Sequence, residues 1–289
     1  MFKKKNIKIG FLFILPALLV FILFKYMPIF LTVKMSFFKW NIMEPPGIFV
    51  GLENYRQMLD SSLFWIAWKN NIIIFILGLL IGFWVPLLQA IFLNEIRRGH
   101  QVFKTIYLIP LAVPLVVILL VWKWIYHADF GMLNHFLTAV GLPAVNWLGN
   151  PDIAKVSIVL PTFLGGGIGV LIYLSAIQNI PAELFEAAIL DGAGPWQKFT
   201  SIMFPKIRFV VMIQLILAVI ISFQMFTEVW ILTGGGPVDA TRVVSLLIYR
   251  SAFENFNMGY ASAIAISMFL FLLALMILHT IFSLKEQED

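Results

Sequence analysis

Apolar residues in this chain come in long unbroken runs. They show neither the alternation of a half-buried strand nor the one-sided period of a surface helix. Six runs, approximately residues 10–32, 71–93, 104–126, 155–178, 208–232 and 260–283, are long enough to cross a bilayer. A helix rises about 1.5 Å per residue and the hydrocarbon core is about 30 Å thick, so about 20 apolar residues suffice. The pattern predicts an all-α, polytopic membrane protein with six transmembrane helices, organised as one transmembrane domain over residues 1–289. The first run opens MFKKKNIKIGFLFILPALLVFILF, with the basic start of a signal peptide. No small-residue cleavage site follows before KYMPIF, so it is read as an uncleaved span.

The polar positions orient these spans. With the N-terminus in the cytoplasm, the inner segments carry eleven basic residues: Lys3, Lys4, Lys5, Lys8, Arg97, Arg98, Lys104, Lys198, Lys206, Arg208 and Lys285. The longer outer loops carry seven. Both termini are therefore expected in the cytoplasm, as the positive-inside tendency requires. The outer loops 33–70, 127–154 and 233–259 contain turn-forming and aromatic strings such as NWLGNP and TGGGP. They make either a small extracytoplasmic cap or simple connections with interfacial Trp and Tyr anchors.

Composition sharpens the picture by exclusion. Hydrophobic residues make up 61% and charged residues 12%, with a mean hydropathy of +0.94, against about 25% charged in soluble domains. The formal charge of +5 comes from twenty Lys and Arg that are scattered and flank apolar runs. That distribution fits topology control and membrane lipid, and no nucleic-acid partner is expected. Cysteine is absent, which excludes disulfides, thiolate metal sites and cysteine nucleophiles. His100, His127, His135 and His279 lie far apart, and G-x-S-x-G is missing, so neither a metal site nor an intramembrane hydrolase is indicated.

One inner segment breaks the apolar theme: LFEAAILDGAGPWQKFTSIMFPKI, residues 184–207. Pro181 suits the start of a short helix, with Glu183 and Glu186 in its electropositive first turns. Gly192 offers a stop that tolerates positive φ, Pro195 suits a second start, and Pro205 is expected to limit that second helix. Two short helices over 181–205 joined at a glycine turn form a bracket. Ala187, Ala188, Gly192 and Ala193 would let a partner backbone approach, and Glu186 and Asp191 would accept charge-assisted hydrogen bonds. The other reading is an amphipathic helix lying under the bilayer, although the acids at its start oppose anionic lipid.

The order Glu186-Ala187-Ala188, Gly192, Ile202, Phe204-Pro205 resembles the EAA signature of binding-protein-dependent ABC importer permeases, with Phe204 where Leu is usual. LPALLVFILFKYMPIF, FVGLENYRQML, DFGMLNHFL, TGGGP and YRSAFENFNMGYASA extend the likeness to the sugar-permease branch, the maltose- and glycerol-phosphate-type subunits. The resemblance implies a type I ABC importer permease fold in the cell (inner) membrane. It also implies partners: a second homologous permease, two ATPase subunits and an extracytoplasmic solute-binding protein that delivers a sugar or oligosaccharide. It makes Glu186, Ala187, Ala188, Asp191, Gly192, Ala193, Pro195, Phe199 and Pro205 the ATPase-coupling segment. No G-x-x-x-x-G-K-[ST] loop is present, so no cofactor is expected on this chain, and ATP and Mg would sit on the partner ATPases.

Polar groups inside spans usually face a bundle interior or a water-filled cavity. In the fifth run these are Gln214, Ser222, Gln224, Thr227 and Glu228, of which Ser222 and Gln224, nearest the middle, would contact sugar hydroxyls or bond neighbouring helices, while Glu228 is expected near the outer interface. The fourth run holds Thr162 and the glycines 165, 166, 167 and 169, which imply either close helix packing or an irregular segment beside a cavity. The resemblance places Gly165, Ser222 and Met225 beside the sugar site. It also makes Leu111 and Leu115 departures from the polar or aromatic residues expected in the third run, where Pro110 and Pro114 are candidate kinks. The reading from a different class is an ion-coupled carrier or channel that needs no ATPase. Lys25 is the one ionisable residue well inside the first span, and it can snorkel.

Overall fold

The computed structural model of the protein describes residues 4–41, 43, 47–96, 98–164 and 167–288. Among them, Leu12–Met35, Ser62–Glu95, Pro195–Phe223 and Met258–Ile281 are helical runs long and apolar enough to cross a membrane. Two further pairs qualify as broken spans, Gln101–Ala112 with Leu115–Ile125, bent by 95°, and Ala154–Leu164 with Ile168–Gln178, bent by 47°. The total is six if each bent pair counts once. Sheet structure among the described residues is one antiparallel pair, Phe38–Lys39 with Ile48–Phe49.

Each break has a local cause. Pro114 has no N–H to donate and pushes the preceding residue out of the helical region, and Val113 accordingly sits at φ −90°, ψ 127°. Pro110 is carried inside the helix without ending it. In the fourth run a tight helical turn over Leu160–Leu164 leads to Gly167, at φ 78°, before the helix Ile168–Gln178. The Gly167 N–H donates to the Tyr107 carbonyl at 2.9 Å. Gly169 is needed for packing: a Cβ there would come 3.2 Å from Gln214 Nε2 and 3.4 Å from Pro86 Cβ. Gly169 thus supplies close packing and Gly167 a departure from the helix.

The fifth run departs from expectation at both ends. Its helix stops at Phe223, and a separate helix, Thr227–Leu232, follows. At its start the helix runs without a stop from Pro195, so Pro205 does not limit the second bracket helix. A π-turn over Phe199–Met203, closed by Phe204 N–H to the Phe199 carbonyl, widens the helix before the proline ring would meet the preceding turn. The first helix repeats this device, with a π-turn over Ile22–Tyr26 and then Pro28.

The chain divides into two compact units, Met1–Phe64 with Leu247–Leu273, and Trp65–Leu246 with Ala274–Asp289. In the first, buried Asn54 donates from Nδ2 to the carbonyls of Ser36 and Phe38, each at 2.9 Å. The Gly259 N–H donates to the Trp40 carbonyl at 3.2 Å, which ties the strand pair to the start of the last helix. In the second unit two apolar cores form. One gathers Leu87, Leu93, Val170, Tyr173, Ile177 and Ile207, and the other Ile74, Leu119, Ile158, Val229, Val243 and Leu246.

Candidate functional site

Two places in the second unit concentrate the residues singled out above. The first is the bracket. Pro181 is the N-cap of the helix Ala182–Leu190, with φ −55° and ψ 131°, and Glu183 lies in its first turn. Asp191 ends that helix and Gly192 turns left-handed at φ 76°. The turn closes when Gly192 N–H donates to the Ile189 carbonyl at 3.0 Å and Ala193 N–H to the Ala188 carbonyl at 2.8 Å. That pair of bonds is a Schellman closure, which satisfies carbonyls a helix end leaves free. Gly194 caps the next turn and Pro195 begins it.

The bracket has an anchored side and a bare side. Phe185, Phe199 and Ile202 pack against the core that contains Val170, Ile177 and Ile207. Ala188 and Ala193 are half-buried, while Glu186, Ala187, Asp191, Gly192, Pro195 and Pro205 are exposed. Beside these acids Leu190 is 88% exposed and Trp196 75% exposed. Exposed large apolar groups rimmed by charge are what an interface presents before its partner arrives. Leu190 and Trp196 were not singled out by the sequence pattern. Their signal was a large apolar residue on each side of a glycine turn.

The second place is a cavity of about 230 Å³. Ile74, Phe75, Gly78 and Gly82 of the second run face Val159 and Thr162 of the fourth and Ile221, Ser222 and Met225 of the fifth. Three expected pathway residues, Thr162, Ser222 and Met225, therefore meet here. Gln224 is exposed and caps the helix end, and Thr227 begins the following helix; neither lines the cavity. Gly165 lies outside the described residues. Thr162 donates its hydroxyl to the Val159 carbonyl at 2.7 Å, whereas the Ser222 hydroxyl is buried with no partner. Leu111 approaches Gly167, 3.6 Å from where a Cβ would lie, and does not line the cavity.

Polar side chains hold the helix break beside this cavity. Asn71, wholly buried, donates to the Ser222 carbonyl at 3.2 Å. Ser245 Oγ donates to the Met225 carbonyl. Carbonyls released where the fifth run breaks thus keep partners away from water.

Residues 78–286 match the family described as binding-protein-dependent transport system inner membrane component. This chain belongs to that family. Among its relatives, the probable ABC transporter permease protein YurN of Bacillus subtilis is 36% identical over 99% of both chains. The trehalose/maltose transport system permease protein MalF of Thermococcus litoralis is 35% identical over 94% of this chain and 92% of its own. A solved bacterial ABC transporter that imports the acidic polysaccharide alginate contains a chain 26% identical to this one, with a TM-score of 0.85, over 97% and 96% of the two chains. A bacterial alginate ABC transporter solved in complex with an alginate pentasaccharide-bound periplasmic protein contains a chain with 25% identity and a TM-score of 0.83, over 95% of this chain and 93% of that one. The protein is thus a multi-pass permease subunit of a binding-protein-dependent ABC importer, situated in the inner membrane.

Proposed function

We propose that this subunit, acting over residues 1–289 as one permease domain, forms half of a translocation path for a sugar or oligosaccharide. In this reading a second homologous permease completes the path, and an extracytoplasmic binding protein hands the sugar over. Two ATPase subunits, which carry ATP and Mg, drive it. The subunit itself catalyses nothing: it converts movement of the bracket over 181–205 into rearrangement of its spans.

The observation that carries this reading is the two-sided bracket. Phe185, Phe199 and Ile202 bind it to the membrane core, while Leu190 and Trp196 stand in the open next to Glu186 and Asp191. A rigid element with one face in the core and the other free transmits a push from a partner to the helices behind it. The sugar assignment is supported by the trehalose/maltose relative and by the meeting of Thr162, Ser222 and Met225 at one cavity.

Leu190→Glu and Trp196→Glu test the reading. Each is expected to leave the protein in the membrane with its partner permease, and to reduce ATPase co-purification and sugar uptake together. Uptake that survives complete removal of the ATPase would instead favour an ion-coupled carrier or channel.

A further inference from the structure

We propose that the wall this chain gives to the cavity accepts an uncharged sugar ring and excludes carboxylated or phosphorylated sugars, with Gly78 setting the size of ring it takes. This rests on the reading of the cavity as part of the sugar path and deepens it.

The chemistry of the wall is one-sided. Phe75 and Phe83 supply rings, and Ile74, Ile221 and Met225 supply aliphatic surface. Thr162 has committed its hydroxyl to the Val159 carbonyl at 2.7 Å. Ser222 Oγ, buried and without a partner, is left with its hydrogen-bonding capacity unused. A sugar ring matches that combination, since its C–H face lies against an aromatic ring and one of its hydroxyls satisfies the orphan. Among the described residues that line the cavity none is ionisable. A carboxylate or phosphate entering here would lose its water with no cation to replace it, and an uncompensated buried charge is strongly disfavoured. One solved relative imports acidic alginate, but on this chain the wall offers nothing to an acidic group.

Gly78 makes the space. It lies inside the helix Ser62–Ile81, where glycine is a poorer helix former than alanine. Nothing lies within 4 Å of the position its Cβ would take, and its backbone does not require positive φ. Neither packing nor conformation therefore calls for glycine. Gly82 differs: a Cβ there would lie only 2.8 Å from the Thr162 Cβ, so contact with the fourth run explains it. What a side chain at 78 would consume is cavity volume. At about 230 Å³, this wall suits one ring at a time, being smaller than the roughly 300–1,000 Å³ of drug-sized sites.

The chain has no cysteine, so Gly78→Cys introduces a single thiol whose modification by a small neutral thiosulfonate is read chain by chain with mass spectrometry, in the full transporter. Glucose, maltose, maltotriose and the uronate counterparts of each are compared at equal concentration. At least one neutral sugar is expected to slow modification by about tenfold or more, with its uronate having no effect. Ser222→Ala in the same background should abolish most of that protection, and Gly78→Leu should block uptake. Uronates that protect as well as the neutral sugars would overturn the charge discrimination while leaving the path intact. Absence of protection by any sugar, with normal uptake by Gly78→Leu, would remove the cavity from the path altogether.

Discussion

Asn71 accepts the Val244 N–H on its side-chain oxygen at 2.8 Å, across 173 positions of sequence. Its Nδ2 meanwhile donates to the Ser222 carbonyl at 3.2 Å. One fully buried amide therefore ties the second run to the helix break beside the cavity and to the helix that follows the outer loop. Its neighbour Asn70 donates to the Asp239 and Arg242 carbonyls at 2.8 and 2.9 Å, so that loop is held at several points.

Asn71→Leu removes the acceptor and strands the Val244 N–H in an apolar core. An unsatisfied buried donor costs about 1–3 kcal/mol. The purified variant in detergent should melt at lower temperature, while Asn71→Asp, which keeps the acceptor and loses the donor, should show a different and partial deficit in the same assay.

Asn134 organises the outer loop in a similar way. It donates to the Ala128 and Val145 carbonyls, each at 2.9 Å, and accepts from Val145 N–H at 3.0 Å and Trp147 Nε1 at 2.9 Å. Asn134→Ala should cost about 2 kcal/mol or more through the partners it leaves unpaired. Limited proteolysis should then cut within 127–150 at protease doses that spare the parent.

Gly192→Val places a β-branched residue at φ +76°. Left-handed backbone costs such a residue about 1–2 kcal/mol, and the Schellman closure would open. Membrane insertion should be unaffected, because Gly192 lies outside the helical runs able to cross a membrane. ATP hydrolysis should lose its stimulation by loaded binding protein, measured in proteoliposomes of the complete importer.

Gly82→Ala should destabilise by about 1–3 kcal/mol through overpacking against Thr162. The double variant Gly82→Ala with Thr162→Gly, which removes the clashing side chain, should recover most of that loss. A double-mutant cycle on melting temperature reads the coupling directly.

The spans were legible because hydrocarbon imposes a length that no loop imitates, and three of the six runs, the first, second and sixth, follow continuous helical stretches. The breaks were harder to place. Pro110 and Pro114 both marked the third run as a candidate for kinking, but its 95° bend follows from Pro114 acting on Val113; Pro110, four residues earlier, is absorbed. Local punctuation by Pro181, Gly192 and Pro195 made the bracket readable. Pro205 misled, since a π-turn five residues long takes up its ring, and such turns have no compositional mark. Leu190 and Trp196 escaped notice because another large apolar residue carries no contrast in a chain that is 61% hydrophobic. Gly78 and Gly82 form a G-x-x-x-G spacing that did offer a signal. Only geometry separates the two, one pressed on Thr162 and the other facing open space.

The central claim is that the bare side of the bracket is the surface a separate ATPase grips. Leu190, 88% exposed in a chain without cysteine, permits a direct measurement. Leu190→Cys is treated with a maleimide in the permease pair alone and in the complete transporter with ATPases bound stoichiometrically. The account predicts modification at least about tenfold slower when the ATPases are present; equal rates in the two preparations would contradict it.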